Sequence, residues 1–254
     1  MSLKIERRHI FNLDFVAADN FEAILHSLIQ DETPNGKLPI VITPNVDLTV
    51  HLNHNKTLLN TFQHARFILP DGAPIIWFSK LLRKPLKKRL AGSDLFPLIW
   101  KASMQHQKKI LMIVPNENVQ QKLEQEYPSA QFYIPPFFEA TSNEIEKEAQ
   151  NILPLISNHL PDFIFLGLRY PKQELLIINL LQKIKENQLK TPVFFNLGAS
   201  YEFYTGLKNR APIWMQKIGL EWMHRFLSEP KRTFKRYFYD DLYIFVLFVK
   251  EWLK

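Results

Sequence analysis

Cysteine is absent from the 254 residues, which excludes disulfides, thiolate metal sites and a cysteine nucleophile. A reducing compartment agrees with that composition. Glycine is scarce, with 7 residues. No G-x-G-x-x-G follows an early strand and no G-x-x-x-x-G-K-[ST] occurs, so nicotinamide and P-loop chemistry lack their phosphate-binding turns. A G-x-S-x-G nucleophile elbow is missing as well. So is any Asp-x-Asp pair to hold a divalent cation on a pyrophosphate. The first residues, MSLKIERRHIFNLDF, lack the apolar run of a secretory leader, which points away from export. Apolar runs are short throughout: LYIFVLFV (242–249) has 8 residues, against about 20 for a bilayer span.

Acidic residues are outnumbered. Lys and Arg total 32 against 25 Asp and Glu, a net charge of +7, which favours an anionic partner. The excess is clustered. Lys80, Arg83, Lys84, Lys87, Lys88 and Arg89 form one block with no acid among them. A second runs from Lys208 to Arg236, with only Glu221 and Glu229 opposing eight cations. Either block is also readable as an ordinary solvated face.

Short apolar runs alternate with helix-period segments. LPIVIT (38–43), ARFIL (65–69), KILMIV (109–114), QFYI (131–134), DFIFLGL (162–168) and PVFFNLG (192–198) read as strands. Helices are expected near 46–63, 73–82, 94–106, 117–126, 143–158 and 171–187. Around Ile5–Phe15 an antiparallel or edge strand is expected. This order defines an α/β chain with a mainly parallel, Rossmann-like sheet covered by helices on both faces. In such sheets ligands bind beyond the carboxyl ends of the strands. The residues standing there are Thr43-Pro44-Asn45, Asp71-Gly72, Arg169 to Gln173 and Gly198 to Ser200.

Asp71 is the acid of interest, because it interrupts two apolar runs in FILPDGAPIIW (67–77). Asp-Gly alone is a common turn, but its place at a strand end puts the carboxylate on the functional rim. In RYPKQE (169–174), Pro171 suits the first turn of a helix, with Lys172 and Gln173 beside free backbone N–H groups fit for an anion or a sugar hydroxyl. Asp47, His51 and His54 share a helix face, yet His-x-x-His without a further ligand reads as a polar or partly buried face rather than a metal site. The C-terminal stretch carries 8 aromatics between Phe234 and Trp252, interleaved with Lys235, Arg236, Lys250 and Lys254. Such a helix suits an anionic membrane surface; a docked helix or a dimer face is the alternative, and the oligomeric state is left open.

TPN (43–45), DGAPII (71–76), KRLAGSDL (88–95), PKQE (171–174), YEFYTGLKNRAP (201–212) and GLEWMHRFLSEPKR (219–232) stand in one order. Together, over about Ile40 to Arg236, they resemble the WecG/TagA/CpsF family, glycosyltransferase family 26. The resemblance implies an inverting, metal-independent enzyme without a cofactor. It would move N-acetylmannosamine, its uronic acid or a related sugar from a UDP-sugar to a polyprenyl-diphosphate-linked saccharide. The setting implied is the cytoplasmic face of a bacterial membrane, in envelope polysaccharide synthesis, with peripheral attachment. It implies a catalytic domain over 1–206 and a membrane-binding appendage over 207–254 that completes the site. Asp71 becomes the base, Thr43, Asn45 and Gln173 hold the donor, and Arg89, Arg210, Arg225 and Arg232 meet the leaving diphosphate. Arg169 and Tyr170 replace the Gly and small residue usual before P-K-Q-E, so Arg169 is expected to reshape the donor pocket or meet an acidic sugar, and Lys172 to bind substrate beside Gln173. Asn196, Ala199 and Glu202 depart from the family's Gly, Gly and Asp. The rival readings are a nucleic-acid-binding protein, which would need neither Asp71 on a polar rim nor LYIFVLFV, and a catalytically inactive, membrane-associated protein of the same fold, against which the retained Asp71, Arg89 and Gln173 speak.

Overall fold

A computed structural model describes residues 5–30 and 33–254, with the side chains of Lys217 and Arg232 outside the description. Eight strands form one sheet: β1 (Arg7–Ile10), β2 (Leu13–Val16), β3 (Leu38–Ile42), β4 (Ala65–Ile68), β5 (Ile110–Ile113), β6 (Gln131–Tyr133), β7 (Phe163–Leu166) and β8 (Val193–Asn196). Their order is β1-β2-β4-β3-β8-β7-β5-β6. Only the β1–β2 hairpin is antiparallel; β2 then joins β4 in parallel. The edge expected around Ile5–Phe15 is that hairpin.

Buried strands alternate their side chains between two cores, as a period of two requires. Ile40, Ile42, Leu111, Ile113, Ile164, Leu166 and Phe194 point to one face. Val41, Ile110, Met112, Phe163, Phe165, Val193 and Phe195 point to the other. The first face is covered by α2 (Val46–His54), α3 (Lys56–Phe62), α4 (Ala73–Leu81), α7 (Ser142–His159) and α8 (Lys172–Glu186). The second is covered by α1 (Glu22–Ile29), α5 (Gly92–Gln105) and α6 (Glu117–Glu126), with Tyr201 from α9 (Ser200–Tyr204).

Asparagines punctuate the first helices. Asn45 Oδ1 accepts the Leu48 N–H at 2.9 Å and starts α2. Asn55 Oδ1 accepts the Leu58 N–H and starts α3, which splits the single helix expected over 46–63. Gly72, at φ +101°, precedes α4, whose first turn holds Pro74. That left-handed backbone suits glycine and turns the chain at once from Asp71 into the helix. Pro171 stands one residue ahead of α8 rather than in its first turn.

After Gly206 the chain forms α10 (Ile213–Lys217), α11 (Glu221–Ser228), α12 (Pro230–Lys235), a π-helical turn (Arg236–Asp240) and α13 (Tyr243–Trp252). α13 docks by one side: Ile244 and Leu247 are buried in the first core, and Glu251 accepts from Lys84 and Lys254. Its other side, Phe245, Val246, Val249 and Trp252, is exposed. The docked helix and the exposed aromatic helix considered from sequence are thus two faces of one element. No helix among the described residues is long and apolar enough to cross a membrane.

Candidate active site

The carboxyl ends of β3, β4, β7 and β8 gather as the sheet order requires. β3 leads outward to β4, while its other neighbour, β8, is reached from β7. The loops therefore part above the middle of the sheet. Backbone hydrogen bonds stitch them together. The Asp71 N–H donates to Pro44 O at 3.0 Å, and the Leu90 N–H donates to Pro70 O at 2.8 Å. The TPN, DGAPII and KRLAGSDL segments are therefore one structural unit. Above them lies a cleft of about 1180 Å³, lined by Thr43, Asn45, Asp71, Arg169, Lys172, Gln173 and Arg225, among others.

Asp71 opens to this cleft while protein surrounds much of its carboxyl. Burial pushes its pKa upward, Arg225 and then Arg89 pull it back, and Glu221 and Asp94 add to the rise; the net shift is upward. A carboxylate so placed is more basic than one in water.

Around it lies a lattice of three arginines and two more acids, spanning the chain from residue 89 to 225. Arg89 Nη1 contacts Glu221 Oε2 at 2.6 Å, and its Nη2 lies 3.5 Å from Asp94 Oδ2. Arg210 Nη1 contacts Asp94 Oδ1 at 2.6 Å. Arg225 Nη2 contacts Glu221 Oε1 at 2.9 Å, one helical turn away. Burial pushes the Glu221 carboxyl up, but Arg225, Arg89 and Arg210 outweigh it and hold it below the usual carboxylate range. Gly219 completes the junction. At φ +81° it lies so close to α4 that a Cβ would sit 2.6 Å from the Ala73 Cβ and 3.0 Å from Trp77.

The predicted residues thus divide. Thr43, Asn45, Asp71, Arg169, Lys172, Gln173 and Arg225 line the cleft. Arg89 and Arg210 do not stand in its wall; they are engaged with Asp94 and Glu221. The side chain of Arg232 lies outside the described residues. Asn45 spends its carbonyl oxygen on the α2 cap, which leaves the amide N–H₂ as what it offers a ligand. Gln173, 6% exposed, donates to Glu174 Oε1, and its own carbonyl oxygen has no partner among the described residues. Lys172 rests its ammonium over the rings of Phe137 and Phe138, at 4.7 and 4.8 Å. Arg169 is exposed on the rim and makes no ion pair among the described residues.

Sequence reasoning passed over several residues. Glu174 is buried and accepts from both Gln173 and Asn196 at 3.0 Å, which fixes two cleft side chains. Burial pushes its carboxyl up, against the pull of Asn196 and Gln173. Asp94 and Glu221 were visible as letters, but the arginines that approach each of them to 2.6 Å, Arg210 and Arg89, lie 116 and 132 residues away, beyond any local pattern. Only the i,i+4 spacing of Glu221 and Arg225 gave a signal. Asp47 and His51, read from sequence as a polar or partly buried face, engage the C-terminal segment. His51 Nε2 lies 3.3 Å from Asp47 Oδ1 and stacks on Tyr170, and Arg236 Nε lies 3.2 Å from the same Asp47 oxygen. Nearby, burial and Asp47 push Asp241 up to about 7, against Arg236 and His51.

Gly92 bears on the site through space alone. A Cβ there would lie 2.9 Å from Thr43 Oγ1 and 3.1 Å from Ser200 Oγ, two cleft residues. Gly92→Val is expected to cost about 1–3 kcal/mol and to displace Thr43 in the cleft wall. Thermal unfolding reads the first effect and a crystal structure of the variant the second.

An α/β sheet with a polar cleft at its switch point, a carboxylate in its wall and cations around it suits group transfer on an anionic substrate, and the comparisons supply the class. Residues 8–254 match the glycosyl transferase WecG/TagA/CpsF family. The chain belongs to that family and is a glycosyltransferase. It is 31% identical over 196 residues to an N-acetylglucosaminyldiphosphoundecaprenol N-acetyl-beta-D-mannosaminyltransferase of Staphylococcus aureus strain MW2, covering 76% of this chain and 73% of the relative. The same identity and coverage hold for the proteins of that name in strains NCTC 8325 / PS 47 and MRSA252.

Proposed function

We propose that the protein transfers a sugar from a UDP-sugar to a polyprenyl-diphosphate-linked saccharide with inversion, using Asp71 as general base and no metal. The relatives' name supplies the acceptor class and an N-acetylmannosaminyl donor group. The observation that carries the reading is Asp71 itself: a cleft-lining carboxylate at a strand end, made basic by burial, with Arg225 and Arg89 close enough for their charges to act on it.

The chemistry is a single displacement. An acceptor hydroxyl oxygen attacks the anomeric carbon while its proton passes to an Asp71 carboxylate oxygen. The bond from the anomeric carbon to the diphosphate oxygen breaks, and UDP leaves with the electron pair. Its growing negative charge needs cations already in place. Arg225 stands in the cleft wall for that purpose, and Arg169 and Lys172 are on the rim. Arg89 and Arg210 act one layer back, by holding Glu221 and Asp94. Asn45 and Gln173, offering a donor and an acceptor, suit the hydroxyl and amide groups of a donor sugar.

In this reading residues 1–206 are the catalytic domain, and 207–254 complete the site by supplying Arg225. They also attach the enzyme peripherally, at the cytoplasmic membrane face where a lipid-linked acceptor would be met. The exposed Trp214, Phe234, Phe238, Val249 and Trp252 of that segment, with its lysines, support this. The assay is transfer of labelled sugar from a panel of UDP-sugars to polyprenyl-diphosphate-N-acetylglucosamine. Wild-type rate is expected to survive EDTA unchanged. Loss of activity on chelation, restored by added magnesium or manganese, would overturn the arginine-based account.

A further inference from the structure

The exposed apolar surface is not confined to the C-terminal segment. α4 begins two residues after Asp71 and belongs to the catalytic sheet. Its inner residues, Ile75 and Ser79, are buried. Its outer face carries Trp77, 49% exposed, Leu81, 57% exposed, and the exposed Lys80 between them, at the i, i+3, i+4 spacing of one helix face. A solitary exposed Trp would need no explanation, but this face is enclosed by other exposed apolar residues.

Contacts fix what surrounds it. Ala73 at the start of α4 and Trp77 one turn on lie against Gly219, whose neighbour Ile218 is exposed, with Trp214 and Trp222 on the flanking helices exposed as well. Midway, Phe78 meets Phe245 and Phe248 of α13, ring centroids 5.6 and 5.3 Å apart. Past its end, Lys84 Nζ contacts Glu251 Oε1 at 2.5 Å, which brings the α4 terminus to the exposed Trp252 and Leu253. α4 is thus flanked from end to end by exposed aromatic and aliphatic side chains of the C-terminal segment. The adjoining cations decide the occupant: Lys80, Arg83 and Lys88 are exposed and make no ion pair among the described residues. A second copy of this chain would bring the same cations together, whereas an anionic lipid surface neutralises them.

We infer that α4 is itself a membrane-contacting helix, laying Trp77, Lys80 and Leu81 on anionic lipid in one plane with the exposed face of α10 to α13. This rests on the membrane reading given above and extends it to the catalytic sheet. The consequence is mechanical: the helix that touches lipid starts directly after Gly72 and is clamped by Gly219, so bilayer contact bears directly on the seat of Asp71.

The absence of cysteine makes the test direct. Leu81→Cys on α4, Val249→Cys on α13 and Lys101→Cys on α5, across the sheet, each take one nitrobenzoxadiazole label in the otherwise full chain. Vesicles of equal parts phosphatidylglycerol and phosphatidylcholine are then added. The labels at 81 and 249 are expected to shift to the blue and brighten, and the label at 101 to stay unchanged. A response at 249 with none at 81 overturns the role of α4 and leaves membrane attachment standing. No response at either overturns both. A response at 81 that follows protein concentration without vesicles identifies a second copy as the occupant and overturns the proposal. As an unlabelled check, the Lys80→Ser, Leu81→Ser double variant is expected to lose about tenfold in vesicle affinity while keeping the wild-type melting profile.

Discussion

Asp71→Asn is expected to lower kcat about 10²–10⁴-fold, the usual contribution of a positioned general base, with donor affinity little changed. Asn retains the size and polarity of the side chain but cannot take a proton, so a loss confined to kcat separates a base from a binding group. The stability of the variant should move the other way. Burial raises the Asp71 pKa in the folded protein above its unfolded value near 3.9. A group shifted in that direction supports the fold fully below the unfolded pKa, and the support is lost as pH rises through the folded pKa. At neutral pH the ionised carboxylate therefore burdens the fold, and Asp71→Asn should melt at a higher temperature than wild type. The difference should vanish in acid, where both side chains are neutral. A variant both inactive and less stable at neutral pH would return Asp71 to a structural turn. The same shift places the acid limb of kcat/KM above the ordinary carboxylate range, and Arg89→Ala should move it higher by removing a cation that favours ionisation.

Much of this architecture was legible because it is written locally. Five apolar runs, from LPIVIT to PVFFNLG, became central strands within a residue or two, since a strand buried on both faces leaves a plain apolar signature. The cleft followed from the strand ends alone, and Asp71, Thr43, Asn45 and Gln173 do line it. The split at Asn55 was harder to see, because an asparagine inside a helical period reads equally as a surface residue or as a new cap. α1 and α9 were not foreseen, and within the helical appendage expected over 207–254 the bounds of α10 to α12 were not legible: these helices are short, and α9, α10 and α12 have only five or six residues. The arginine lattice was legible as charge and illegible as geometry. Arg89 and Arg210 were assigned to the diphosphate because nothing in the sequence showed that Asp94 and Glu221 would reach them first. Pairings across more than a hundred residues are set by the fold, and no spacing rule anticipates them.

Those pairings make Glu221 the residue on which the second large effect should fall. It stands 2.6 Å from Arg89 and 2.9 Å from Arg225, and its side chain is only 12% exposed. Removing one partner of a fully buried pair costs about 3–5 kcal/mol, because the remaining charges are left uncompensated. Arg225 is about a third exposed, so the expected loss for Glu221→Ala is smaller, about 2–3 kcal/mol. Catalysis should suffer more than stability. Arg89 belongs to the catalytic sheet and Arg225 to the C-terminal segment, so Glu221 is the anion that keeps both cations near Asp71. Once released, they repel each other and α11 drifts from Asp71; a displacement of about 1 Å is enough for a hundredfold loss of kcat/KM. The pH profile tells this from simple unfolding. Glu221 is among the groups that raise the Asp71 pKa, so Glu221→Gln should move the acid limb toward lower pH, opposite to Arg89→Ala. Opposed shifts from two residues 2.6 Å apart would show that the lattice tunes the base electrostatically. If both variants lost activity with an unmoved acid limb, the lattice would serve only to hold the C-terminal segment in place.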